Sequence, residues 1–150
     1  MSPREEECLV AERDFDSIFS YTAGIVRSRF LTELRDNKRF VGTKCGRCNT
    51  VWLPARSSCA KCFDALNTFV EVADVGTITT FTVIENDEAY YVMKPSFVLA
   101  IIQLDGADTH FVHFIGEVEP GEVKIGMKVR AIFNEERKGS VLDVKYFKPL

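Results

Sequence analysis

Two cysteine pairs constrain this chain more than any other feature: Cys45-Gly46-Arg47-Cys48, ten residues, then Cys59-Ala60-Lys61-Cys62. A Cys-x-x-Cys turn lets two thiolates reach one ion from the same side. A loop between two such turns brings the second pair opposite, so that four sulfurs complete a tetrahedron at about 2.3 Å from zinc. Gly46 gives the first turn the backbone freedom to bend its amides toward sulfur. Lys44, Arg47 and Lys61 flank the motif and offset part of the charge of about −2 that a tetrathiolate zinc site carries. Iron suits the same four-sulfur geometry and stays open beside zinc. Two separate redox dithiols are the remaining reading. Four protein ligands leave no open coordination position, so a site of this kind supports folding and does not activate water. The expectation is one structural zinc per chain, held by Cys45, Cys48, Cys59 and Cys62.

The surrounding composition bounds what such a site can belong to. A chain of 150 residues holds one domain, or one small domain with a satellite. No apolar run approaches the roughly 20 residues of a membrane span. The start, MSPREEECLV, has neither the basic residues nor the apolar stretch of a signal peptide. The expected location is therefore the cytoplasm, where thiols stay reduced and disulfides are a poor use for them. A net charge of −3 argues against a nucleic-acid partner, because counterion release from phosphates asks for a basic face. Twelve phenylalanines against one tryptophan exceed what a small core needs and point to rings committed to a partner surface.

Four segments separate by pattern. Residues 1–16 read as a flexible acidic arm. Its Cys8 adjoins Glu5, Glu6 and Glu7, which disfavour a thiolate, so it reads as a bystander and not as a redox thiol or ligand. Residues 17–40 form a helical segment, with the helix itself expected from Ser17 to Asp36. Val26, Phe30 and Leu34 recur every fourth residue, Ala23 and Leu31 widen the stripe, and Asn37 supplies a stop. Gly24 in this stretch marks either the helix start or a close approach of another backbone or ligand. Residues 41–67 carry the cysteines. From 68 to 150 the chain reads as strand: Thr68–Val75, Thr77–Ile84, Phe97–Leu104, Thr109–Glu117, Lys128–Phe133 and Val141–Phe147. Turn signals separate them at Val75-Gly76, Asp105-Gly106, Glu119-Pro120-Gly121 and Lys138-Gly139, and one helical turn fits within Pro120–Ile125. So many short strands in so little chain predict a small closed or nearly closed barrel.

Catalytic residues are hard to find. His110 and His113 lie three apart in a strand-like segment and so point to opposite faces. His113 aligns with Phe111 and Ile115, His110 with Val112 and Phe114. One packed or partner-facing and one solvated imidazole is the better reading; a general base is the alternative, with no nucleophile near it in sequence. No nucleophile elbow, phosphate loop or dinucleotide fingerprint is present. Glu85, Asp87 and Glu88 read as a solvated acidic turn. The chain offers no catalytic set of its own.

Several of these residues together carry a family resemblance. The first half is Ala23-Gly24, Arg29-Phe30-Leu31-x-x-Leu34, Cys45-Gly46-x-Cys48, Val51-Trp52-x-Pro54-x-Arg56 and Cys59-x-x-Cys62. The second is Gly76-Thr77-Ile78, the run Phe97 to Asp105, and Ile125-Gly126-Met127-x-Val129. From about Ala23 to the C-terminus the chain resembles the acyl-CoA-associated OB-fold proteins with a rubredoxin-like zinc ribbon, the small subunits that accompany thiolases. It departs at Ala55, where the family often has proline; the ligands are untouched.

The resemblance implies a mainly β fold: an N-terminal helix, a rubredoxin-like zinc ribbon and a C-terminal OB-fold barrel. It implies a non-catalytic accessory subunit in a hetero-oligomer with a thiolase-like catalytic subunit. The substrate would be a β-oxoacyl-CoA thioester, aromatic or branched, with anaerobic toluene degradation one setting, and a coenzyme A thioester would lie at the partner interface. The helix and ribbon would dock, and Phe15, Phe19 and Tyr21 are either contacts with the partner or rings folded back on the chain's own barrel. Two rivals stand beside it. One is a single-stranded nucleic-acid module relying on Lys124, Lys128, Arg130, Lys145 and Lys148. The other is an independent acyl-CoA thioesterase using His113.

Overall fold

The computed structural model describes residues 20–89 and 91–150. The acidic arm with Cys8, and the contacts expected of Phe15 and Phe19, lie outside these. Helix α1 spans Gly24–Asn37, not Ser17–Asp36. Ser20–Ala23 are not helical, and Gly24 takes φ +73°, which interrupts any right-handed helix running into it. No atom lies within 4 Å of the position a Cβ on Gly24 would occupy, so this glycine marks the helix start and not a close approach. The helix ends as expected, with Lys38 left-handed beyond Asn37. Phe30 and Leu34 are buried, Val26 and Leu31 half-buried, and Ala23 exposed.

Three strands follow: β1 (Phe40–Lys44), β2 (Val51–Trp52) and β3 (Thr68–Val72), paired antiparallel in the order β2-β1-β3. Strand β3 belongs to the stretch read as the first barrel strand. It instead pairs along its whole length with β1, Phe40 opposite Val72 and Lys44 opposite Thr68. Strand pattern reports a half-buried face but not which sheet buries it.

The remaining five strands close a barrel: β4 (Val75–Ile84), β5 (Phe97–Leu104), β6 (His110–Ile115), β7 (Lys128–Phe133) and β8 (Val144–Pro149), in the order β4-β5-β6-β8-β7. All neighbours are antiparallel except β6 and β8. This five-strand closure is the OB barrel. Gly76, read as a turn, lies inside β4, facing Leu104 on one side and Val129 on the other. A Cβ there would stand 2.5 Å from the Gln103 carbonyl oxygen. Glycine is what lets three strands crowd at the seam.

Residues 141–143, read as the start of the last strand, form a 3₁₀ turn. The buried Asp143 carboxylate accepts from the amides of Lys138, Gly139 and Ser140 at 2.9, 2.8 and 3.1 Å and holds that turn shut. The single helical turn within Pro120–Ile125 is a 3₁₀ turn at Pro120–Glu122. Among the described residues a second, smaller cluster lies around the cysteines, and one core joins helix, ribbon strand and barrel. Phe30 and Leu34 of α1 and Phe40 of β1 share it with Ile78, Ile102, Val129 and Phe147 of the barrel. The Phe40 ring lies 5.6 Å from Phe111, 5.7 Å from Phe133 and 6.1 Å from Phe147, so the ribbon's first strand plugs one end of the barrel.

Candidate metal centre

Strand β1 delivers Cys45, the chain turns through Gly46 to Cys48, and β2 leaves. The second pair comes from Cys59–Cys62, a loop closed by a bridge between Ser58 and Ala65. The four Sγ atoms lie within 4.8 Å of one another, with Cys48 and Cys59 at 3.6 Å. Tetrahedral ligands at a zinc–sulfur distance of about 2.3 Å stand about 3.8 Å apart, so the donor set fits the ion. Cys45 and Cys59 are buried, Cys48 and Cys62 half-buried, and Leu66 and Trp52 pack behind them.

Local hydrogen bonding favours a thiolate at Cys48. The Thr50 hydroxyl, 3.3 Å from Cys48 Sγ, with the Thr50 amide, holds the Cys48 thiol well below its ordinary range. The Cys62 thiol is pushed up, chiefly by Cys48 beside it. Thiolates this close repel one another, and a dication relieves that repulsion. Lys61 Nζ reaches the same Thr50 hydroxyl at 3.2 Å, and Arg47 faces Asp64 at 3.9 Å. Four cysteine ligands would complete a tetrahedral shell, so a centre formed here would have no open coordination position.

Sequence reasoning missed how the ribbon is seated on the barrel. Asp108 accepts from the Val51 amide at 2.7 Å and donates its own amide to the Val51 carbonyl at 3.0 Å. The Thr109 hydroxyl alone brackets Leu53, accepting from its amide and donating to its carbonyl. The partners are 56 and 57 residues apart in sequence, and no local signal joins them.

The two histidines separate as their spacing dictates. His113 is buried beside Phe111 and Phe147, its Nε2 at 3.2 Å from the Val141 carbonyl oxygen; His110 is exposed. Burial holds the His113 imidazole below its ordinary value. Glu85, Asp87 and Glu88 are all exposed. Of the cations that would serve a nucleic acid, Lys128 pairs with Asp105 at 2.9 Å, Arg130 with Asp74 at 3.7 Å and Lys148 with Glu117 at 3.2 Å. Lys145 lies over the Tyr146 ring. A cavity of about 480 Å³ opens between the first turn of α1, including Ile25 and Arg27, and Ala55–Ser57. Tyr21 and Ile25 nearby are 75% and 89% exposed. No helix among the described residues is long and apolar enough to cross a membrane.

Comparison with known proteins agrees with this architecture. Residues 32–67 match the model of the ChsH2 rubredoxin-like zinc ribbon domain, and residues 69–134 that of the ChsH2 C-terminal OB-fold domain. A DUF35 domain-containing scaffold protein of Methanocaldococcus jannaschii is 27% identical over 126 residues, covering 78% of this chain and 86% of that one. Its counterpart in Pyrococcus furiosus is 25% identical over 127 residues, covering 82% and 92%. Among solved structures, the Ltp2-ChsH2(DUF35) aldolase superposes with a TM-score of 0.65 at 20% identity, covering 87% of this chain and 98% of that one. A DUF35-family protein of unknown function from Sulfolobus solfataricus superposes with a TM-score of 0.57 at 27% identity, covering 69% and 75%.

Proposed function

The chain belongs to the ChsH2-type family of zinc-ribbon and OB-fold proteins, and from that premise we propose that it is the non-catalytic accessory subunit of a heteromeric thiolase. The partner would be a thiolase-like catalytic subunit, and the substrate a β-oxoacyl-CoA thioester with an aromatic or branched acyl group. The observation that carries this reading is a division of labour within the chain. The best-built chemical site is a closed brace, while the start of α1 exposes Ile25 at an open groove shared with Ala55–Ser57. Relatives described as scaffold proteins support an assembly role. The fold it shares with the Ltp2-ChsH2 aldolase supports a partner that handles carbon–carbon bonds.

In this reading α1 and the ribbon dock on the catalytic subunit and the barrel backs the entrance of the thioester. Arg27 and Arg56 line the groove and would meet the phosphates of coenzyme A. The zinc holds the ribbon's docking face rigid and takes no part in the reaction. Cytoplasmic assembly follows from the reduced thiols that the centre requires.

The test is co-purification from the native host, followed by gel filtration and a thiolysis assay with and without this chain. A stable hetero-oligomer whose thiolysis fails when this chain is omitted is the expected result. If the two proteins stay apart and thiolysis proceeds without this chain, the reading fails.

A further inference from the structure

The two knuckles of the ribbon are built alike. In each, the amide of the residue after the second cysteine donates to the carbonyl of the first: Asn49 to Cys45 at 3.0 Å, Phe63 to Cys59 at 2.9 Å. In each, the first cysteine's amide donates one residue further on: Cys45 to Thr50 at 3.0 Å, Cys59 to Asp64 at 2.9 Å. Asn49 and Phe63 therefore occupy equivalent positions, and both are left-handed, with φ 58° and 60°. The turn imposes this conformation whatever residue sits there. Asparagine tolerates it, whereas a bulky aromatic residue is a steric outlier. Packing does not compensate, because Phe63 is 85% exposed while Trp52 takes the inner place against the cysteines. Neither the backbone nor the metal centre accounts for a phenylalanine here.

We infer that Phe63 is a docking anchor, a ring held at the tip of the second knuckle to enter an apolar pocket bordered by carboxylates on a protein partner. Two backbone hydrogen bonds of the knuckle and the adjoining Cys62 fix its Cα, so little backbone freedom is lost when the ring is captured. Large aromatic side chains of this kind dominate interface energetics. Charge sets the chemistry of the rim. Lys61 is exposed, and Arg47, its side chain 71% exposed, has only the long 3.9 Å contact with Asp64, so both cations of this pair of knuckles can turn to carboxylates. A base could also stack on such a ring, but nucleic-acid surfaces continue as a basic track with further rings. Here Lys128 and Lys148 are paired with acids at 2.9 and 3.2 Å. The inference rests on the accessory-subunit reading, which makes the catalytic subunit the owner of the pocket.

The test copies one knuckle into the other. Phe63→Asn and Phe63→Tyr are compared with the wild-type chain for zinc content, melting temperature in isolation, and affinity for the co-purified catalytic subunit by titration calorimetry. Phe63→Asn should keep its zinc and melt no lower than wild type, yet bind at least tenfold more weakly; Phe63→Tyr should keep most of the affinity. An unchanged affinity for Phe63→Asn overturns the anchor and leaves the accessory reading standing. A lower melting temperature for Phe63→Asn overturns it in favour of a structural role. Weaker binding of a fluorescent oligo-dT, with subunit affinity unchanged, overturns it in favour of a nucleic-acid surface. A wild-type chain with no affinity for the subunit removes the accessory reading and the anchor with it.

Discussion

The Thr109 hydroxyl brackets both backbone groups of Leu53, accepting from the amide at 2.7 Å and donating to the carbonyl at 2.8 Å. One side chain thus does for the ribbon what a paired strand would do. Leu53 is buried, so neither backbone group can turn to water. Thr109→Val keeps the shape and removes both bonds. It should lower stability by about 2–4 kcal/mol, the cost of two buried backbone groups left unpaired. Thr109→Ser should recover most of that. Urea titration followed by the fluorescence of Trp52, the chain's one tryptophan, gives the measurement.

His113 predicts an acid sensitivity. Burial holds its imidazole below the ordinary value of 6.5. The unfolded chain then takes up a proton more readily than the native one, so stability is complete above pH 6.5 and is lost as pH falls below it. His113→Phe should leave the molecule nearly as stable at pH 8, since the Val141 carbonyl keeps the Val144 amide as donor. From pH 7 to pH 5 the variant should lose less melting temperature than wild type. Equal slopes for the two proteins would refute this.

Gly76 predicts a steric limit. Gly76→Ala would set its methyl 2.5 Å from the Gln103 carbonyl oxygen and 2.8 Å from Leu104 Cδ2. The backbone atom cannot yield without breaking the β4–β5 register, so a loss of roughly 2–3 kcal/mol is expected. Gly121→Ala, where nothing lies within 4 Å of the new methyl, should change stability by less than about 1 kcal/mol and serves as the control.

The metal itself gives the last prediction. Elemental analysis should find one zinc per chain, and the protein should be colourless, where a tetrathiolate iron centre would absorb in the visible. Cys59→Ser removes a buried ligand and should lose the ion, the ribbon's order and partner docking together. A soluble, metal-free chain that still assembles with the catalytic subunit would contradict the role of brace.

Much of this molecule is legible locally, and the exceptions have physical causes. Phe97–Leu104 and Lys128–Phe133 are strands at the bounds their alternation and flanking turns indicate. The faces of His110 and His113 follow from a period of two. Strand β3 could not be assigned to its sheet, because its pattern serves either partner equally well. Gly76 passed for a turn because a glycine that bends the chain and one that admits a neighbouring strand look the same in sequence. The 3₁₀ turn at Val141–Asp143 was hidden behind an apolar run that reads as strand until the Asp143 carboxylate gathers three amides.

The four cysteines needed only their spacing. Two Cys-x-x-Cys turns specify two ligands each through covalent geometry, so the donor set of the centre was determined by the sequence by itself. What the sequence could not determine is everything that depends on long-range closure. The clasp of Thr109 on Leu53, the plugging of the barrel by Phe40 and the left-handed, solvent-facing posture of Phe63 exist only once distant segments meet. A motif is local because its bonds are local. A docking surface is not, because exposure is decided by what the rest of the chain leaves uncovered.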